Sequence, residues 1–232
     1  MSDHTSKQFD SELEAVRSSV LQMGGLVEEQ INHAIDAYVT GNLALIDRVV
    51  ATDNQVNRME VELDEQCSQI IARRQPTAGD LRLIMTVVKT ITDLERIGDE
   101  AEKVARMARL IHEGGGVNLP RVDLTHMANA AIAMLRKALD AFARLDPLAA
   151  AQVVRDDLAL DDEYRAIFRQ LITFMIEDPR TITRSIESLF IVKALERIGD
   201  HAKNMSEYTV YMVKGRDVRH IGVENLEREA AE

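Results

Sequence analysis

The sequence predicts an all-α protein made of two tandem three-helix bundles related by internal duplication. Three observations carry this reading. Hydrophobic residues are 46% of the chain and aromatics only 4%, with no Trp, a mixture that suits helices and lacks the aromatic enrichment of sheets. A handful of Gly and Pro breaks leave six long stretches with 3.6-residue apolar periodicity. The hexapeptide Leu-Glu-Arg-Ile-Gly-Asp stands at Leu94–Asp99 and again at Leu195–Asp200.

Taken in order, the first helix runs near 8–40 and stops at Gly41-Asn42. The second runs near 42–75, to Gln75-Pro76-Thr77, where proline cannot continue the hydrogen-bond ladder. The third, near 78–112, carries the first hexapeptide and ends before Gly114-Gly115-Gly116 and Pro120. The fourth spans about 121–145 to Asp146-Pro147, the fifth 147–177 to Asp178-Pro179, and the sixth, with the second hexapeptide, 180–214. Helices this long joined by short loops suit up-and-down bundles.

The Gly triplet divides the chain into a first bundle at 1–113, a linker at 114–120, a second bundle at 121–215 and a charged tail at 216–232. The halves realign: Val49, Val50 and Asp53 match Val153, Val154 and Asp157, and Pro76 matches Pro179. Two copies make a duplication and not a solenoid. The tail, ending Glu-Asn-Leu-Glu-Arg-Glu-Ala-Ala-Glu, is expected to be disordered or weakly helical.

Charge narrows function. The formal net charge is −11, without the basic block that neutralises nucleic-acid phosphates, so no nucleic-acid partner is expected and a cation or metal is easier to accommodate. The single Cys67 sits in an apolar helical pattern and reads as a small core residue in a reducing cytoplasm. No leader-like start and no apolar run of about 18 residues occurs, so membrane association is expected only through partners.

With Glu95 as origin on its helix, Asp99 falls about 40° away and Glu102 about 20° to the other side, opposite the stripe of Leu94, Ile97, Ala101 and Val104. The carboxylates are therefore expected to face away from the core. Glu196, Asp200 and Glu207 repeat the arrangement. Acids one turn apart repel, and a mid-helix Gly costs about 1 kcal/mol relative to Ala. Both penalties occur twice, which suggests that Gly98 and Gly199 clear space for something held by paired carboxylates.

Oxygen ligands at this spacing suit Mg²⁺, Mn²⁺ or Fe. On the second helix Asp53, Asn57, Glu60 and Asp64 share one face, and on the fifth Asp157 and Asp161 are one turn apart. Spacing leaves two readings open: a metal site, or an acidic face kept for solvation, packing or a protein interface. For Asp53, Asn57, Asp157 and Asp161 the second reading leads. His201 is expected at the rim of the acid face, and no Cys/His cluster suggests structural zinc.

These features resemble the PhoU family, cytoplasmic accessory and regulatory proteins of the phosphate-specific transport system. The resemblance rests on the two hexapeptide helices, on Pro76-Thr77-Ala78-Gly79-Asp80-Leu81-Arg82, on the run Glu196–Asn204 and on Lys214–His220. It implies metal clusters held through Glu/Asp-x-x-x-Asp motifs: Glu95 with Asp99, Glu196 with Asp200, then Asp157 with Asp161, and Asp53 with Asn57, where an amide departs from the pattern. The metal would be Fe, Mn, Mg or Zn. Lys103 and Arg106 stand where the second copy has Asn204 and Glu207, so the first site is expected to be weaker in charge or arranged differently.

The resemblance further implies a negative regulator of phosphate uptake and of the phosphate-starvation response, a homodimer that contacts the transporter's ATP-binding subunit and a sensor histidine kinase. Two rivals remain. A carboxylate-bridged oxidase would want Glu-x-x-His pairs aimed into the core, but Gly98 and Gly199 stand three residues after Glu95 and Glu196, so no enzyme is expected. A metal-free helical adaptor serving another transporter is the second.

Overall fold

In a computed structural model that describes residues 7–114 and 122–232, the chain forms α1 (Lys7–Thr40), α2 (Leu43–Arg74), α3 (Ala78–Glu113), α4 (Thr125–Arg144), α5 (Pro147–Glu177), α6 (Ile182–Lys214) and α7 (Val223–Ala231). A 3₁₀ turn at Pro179–Thr181 leads into α6. Six helices fall within a few residues of the expected spans; the largest discrepancy is α4, expected from 121 and observed from Thr125. The expected linker, Gly114 apart, lies outside the described residues.

Local chemistry sets the ends. Asn42 Oδ1 accepts from the Ala44 amide and caps α2, which closes on Gln75 in the left-handed region at φ 48°. Asp146 accepts from the Leu148 and Ala149 amides at the start of α5, where Pro147 forgoes a donor that the first turn cannot use. Gly215, at φ 75°, closes α6.

Helices α1, α2 and α3 form one triangle and α4, α5 and α6 a second; α3 packs along α6 and α1 against α4, while α2 and α5 lie on opposite outer sides. One continuous apolar cluster runs through both triangles, from Met23, Val27 and Ile31 through Leu94 and Ile97 to Leu135, Leu195 and Ile198. Cys67 is buried in it, and desolvation pushes its thiol up to about 11.

Polar groups are built into the junction of the halves. Asp93 Oδ1 stands 2.6 Å from His201 Nδ1 and accepts from Asn204, and burial together with Asp93 pushes the Tyr208 hydroxyl up to about 12. Buried Glu100 accepts from Arg197 across the junction and from Lys103 within its own helix. Between α1 and α4, Arg17 donates to the Ala143 carbonyl.

Of the two expectations for the tail, disorder or weak helix, the helical one holds, and the helix is docked. Its Leu226 and Ala230 are buried with Val154, Val210 and Val218, and an Arg155–Glu227 ion pair ties α7 to α5. The acidic composition concealed a short amphipathic helix whose two buried residues stand one turn apart.

Candidate functional site

The sequence-selected acids gather in two seams, one between α2 and α3 and one between α5 and α6. The outward orientation expected for them needs correction. The Glu95 and Glu196 side chains keep only 18% and 12% of their exposure, while Asp53 and Asp157, on the facing helices, are 7% and 3% exposed. A wheel drawn for α3 or α6 alone omits the outer helix that covers the acid face. Asp99 stays more open at 43%, and Asp161 is partly exposed beside Arg165.

In the first seam Asp53 Oδ1 accepts from Gln30 Nε2 at 3.1 Å and Oδ2 from Asn57 Nδ2 at 3.2 Å. Gln30 also donates to the Gly98 carbonyl at 3.2 Å, joining α1 to both other helices. Burial, then Glu102 and Asp99, raise Asp53 above the usual carboxylate range; burial, then Asp99, Glu60 and Asp53, do the same to Glu95. Arg96 lies near Glu95 and Asp99 at 3.5 Å, and Arg106 meets Glu102 at 2.7 Å, both from exposed positions. Beside them a cavity of about 420 Å³ opens at the α3–α6 junction, lined by Asp99, Glu102, Arg197 and His201.

In the second seam Lys203 Nζ lies 2.7 Å from Asp157 Oδ2. Burial disfavours its charge, yet Asp157, Asp200 and Glu207 hold the ammonium above its ordinary range. Burial with Glu196, Asp157 and Asp161 raises Asp200, and burial raises Glu207. Glu196 pairs with Lys193 at 2.5 Å.

Three further expectations change. Of the two expectations for the first seam, the different arrangement holds and the weaker negative charge does not: Lys103 turns to Glu100 and Arg106 to the rim, while Glu102 stands where the second copy has Lys203. The glycines make room for neighbouring helices as well as for any ligand. A Cβ on Gly199 would lie 2.2 Å from Leu160 Cδ2, and one on Gly98 would lie 3.2 Å from Gln30 Oε1 and 3.3 Å from Asp53 Oδ1. His201 belongs to the α3–α6 junction through Asp93 and borders the acid face only from the cavity side.

The donor set suits a hard cation. Two buried amide oxygens beside Asp53, Gln30 Oε1 and Asn57 Oδ1, have no hydrogen-bond partner, and a cation is what an acceptor among carboxylates can take. As placed, however, no three His, Cys, Asp or Glu side chains among the described residues gather at ligand distance, so coordination would require rotamer changes. Gln30 was missed by sequence reasoning; its one visible signal was a polar residue in the apolar stripe of α1.

A family model for the PhoU domain matches residues 20–108 and again 124–209. The chain is 47% identical over 229 residues to a Pseudomonas aeruginosa protein named phosphate-specific transport system accessory protein PhoU homolog, covering 99% of this chain and 95% of that one. The Escherichia coli K12 protein named phosphate-specific transport system accessory protein PhoU is 45% identical, with 98% and 94% covered. The crystal structure of PhoU from Pseudomonas aeruginosa superposes with a TM-score of 0.86 at 47% identity, over 90% of this chain and 100% of that one. That of the phosphate transport system regulatory protein PhoU from Streptococcus pneumoniae gives 0.83 at 26% identity, over 90% and 99%. With both repeats matched, both hexapeptide helices in the same place in each triangle and near-complete coverage, the chain belongs to the PhoU family.

Proposed function

We propose that this protein is a regulatory accessory protein of phosphate-specific transport, a negative regulator of phosphate uptake and of the phosphate-starvation response. The observation that carries the reading is end-to-end likeness, at 45–47% identity, to proteins named as accessory to that transport system. The protein acts without catalysis, as a helical adaptor between the ATP-binding subunit of the phosphate ABC transporter and a sensor histidine kinase, and as a homodimer. No described helix is long and apolar enough to cross a membrane, so the adaptor reaches the membrane through those partners.

Metal binding belongs to the same proposal. Asp53, Asn57, Glu95 and Asp99 would hold an ion at the first seam, and Asp157, Asp161, Glu196 and Asp200 are the corresponding residues at the second. A bound Fe, Mn, Mg or Zn ion would offset carboxylate repulsion and pin each outer helix to its central one. The chain's own residues supply the rigid frame: Gln30 fixes Asp53 against α3, and Lys203 fixes Asp157 against α6.

The test is phosphate-repressible alkaline phosphatase activity in phosphate-rich medium, in the intact strain and in one lacking this gene. Activity should be high in the deletion and return to low with the wild-type gene. Unchanged low activity in the deletion would remove the regulatory role and leave an adaptor for another transporter.

A further inference from the structure

The hexapeptides are identical, but the seams around them are not. In the α5–α6 seam the Lys203 ammonium is already bonded to Asp157, which is 3% exposed, and its charge also acts on Asp200. In the α2–α3 seam the same helical position holds Glu102, a further negative charge, paired with an Arg106 side chain that is 65% exposed.

The ground behind each hexapeptide differs as well. Behind Gly98 lies Gln30, fully buried, with Oε1 unpartnered, and that oxygen and Asp53 Oδ1 both border the space a Cβ would take. Behind Gly199 the same space is filled by Leu160 Cδ2, with Met134 Cε close by. The nearest atoms of the first niche are two oxygens, with Val56 Cγ1 at 3.6 Å, and those of the second are hydrocarbon alone.

A divalent cation entering the α5–α6 seam has to displace a tethered ammonium and leave it in a half-buried site without its partner, which is costly in a medium of low polarity. A cation entering the α2–α3 seam displaces no buried ammonium, only the exposed Arg96 and Arg106 side chains, relieves repulsion among Asp53, Glu95, Asp99 and Glu102, and can take an amide oxygen that otherwise has no partner.

We infer that Lys203 is a built-in counter-ion that stands in for a metal ion in the α5–α6 seam, so that a hard divalent cation binds preferentially in the α2–α3 seam, through Asp53, Glu95, Asp99 and the Gln30 amide oxygen. The inference rests on the metal-binding part of the proposal above. It makes the duplicated protein functionally asymmetric: one seam responds to the ion supply, and the other is held closed by its own lysine.

The test uses the full chain saturated with Mn²⁺, with the ion located by anomalous diffraction and its affinity measured by calorimetry. In the wild-type protein the anomalous peak should lie between α2 and α3 and be stronger than any peak between α5 and α6. Lys203→Met should bring a peak to the α5–α6 seam and tighten binding there by about tenfold or more, the repulsion among its acids being then unrelieved. Peaks of equal strength in both wild-type seams would overturn the role of Lys203 and leave the metal-binding reading intact. No Mn²⁺ in either seam at saturation would overturn both. The wild-type peaks decide the matter even where Lys203→Met fails to fold.

Discussion

Two glycines at equivalent positions of one duplicated sequence meet different surroundings, and the difference can be measured. Gly199→Ala places a methyl 2.2 Å from Leu160 Cδ2, so the Leu160 side chain, 2% exposed, has to shift. The overpacking should cost about 1–3 kcal/mol, partly offset by the roughly 1 kcal/mol that Ala gains over Gly in a helix. Gly98→Ala meets oxygens at 3.2–3.3 Å and Val56 Cγ1 at an ordinary 3.6 Å, so its stability should change by less than about 1 kcal/mol while Mn²⁺ affinity falls, because the methyl takes the space that the two oxygens border. Thermal denaturation and calorimetry of the pair check this; equal destabilisation by both would show that the niches are alike. The sequence marked Gly98 and Gly199 as costly and therefore of use, but it could not assign Gly199 to packing, because Leu160 lies on another helix.

At the scale of elements, breakers and caps carried most of the information. Asp146-Pro147 and Asp178-Pro179 mark helix boundaries because a carboxylate can cap the amides ahead of it and proline needs no donor in a first turn. The docking of the tail was not legible because composition dominated its appearance, while the apolar contact of Leu226 and Ala230 with Val154 and Val210 is made across the fold. Leu226→Ala should destabilise the protein by about 2 kcal/mol in denaturant titration, and removal of residues 223–232 should do at least as much by exposing Val154 and Val218. A loss under about 0.5 kcal/mol for both would mean that α7 frays freely from α5.

For the whole molecule, the decisive contact is α3 along α6. Asp93 and Glu100, 7% and 5% exposed on α3, meet His201, Asn204 and Arg197 of the other half, so the first half presents buried acids and the second supplies partners for them, with Lys103 of α3 adding to the pairing of Glu100. Asp93→Ala should cost about 2 kcal/mol by leaving His201 and Asn204 without their partner, against about 0.5 kcal/mol or less for Arg165→Ala at an exposed pair. Urea unfolding of the two variants checks the contrast; similar small losses would show that the junction is held by apolar packing alone.

The sequence by itself determined the helical class, the six long helices, the duplication and the eight acidic-motif positions, because 3.6-residue periodicity, Gly/Pro punctuation and exact repetition are local and one-dimensional signals. Only the tertiary structure decided that the acids lie in covered seams, that Gln30 backs one seam and Met134 the other, that Lys203 reaches Asp157, and that the tail folds onto α5. Each of these joins residues on different helices. Their distances follow from how helices of identical periodicity stack, which a single-helix projection does not contain.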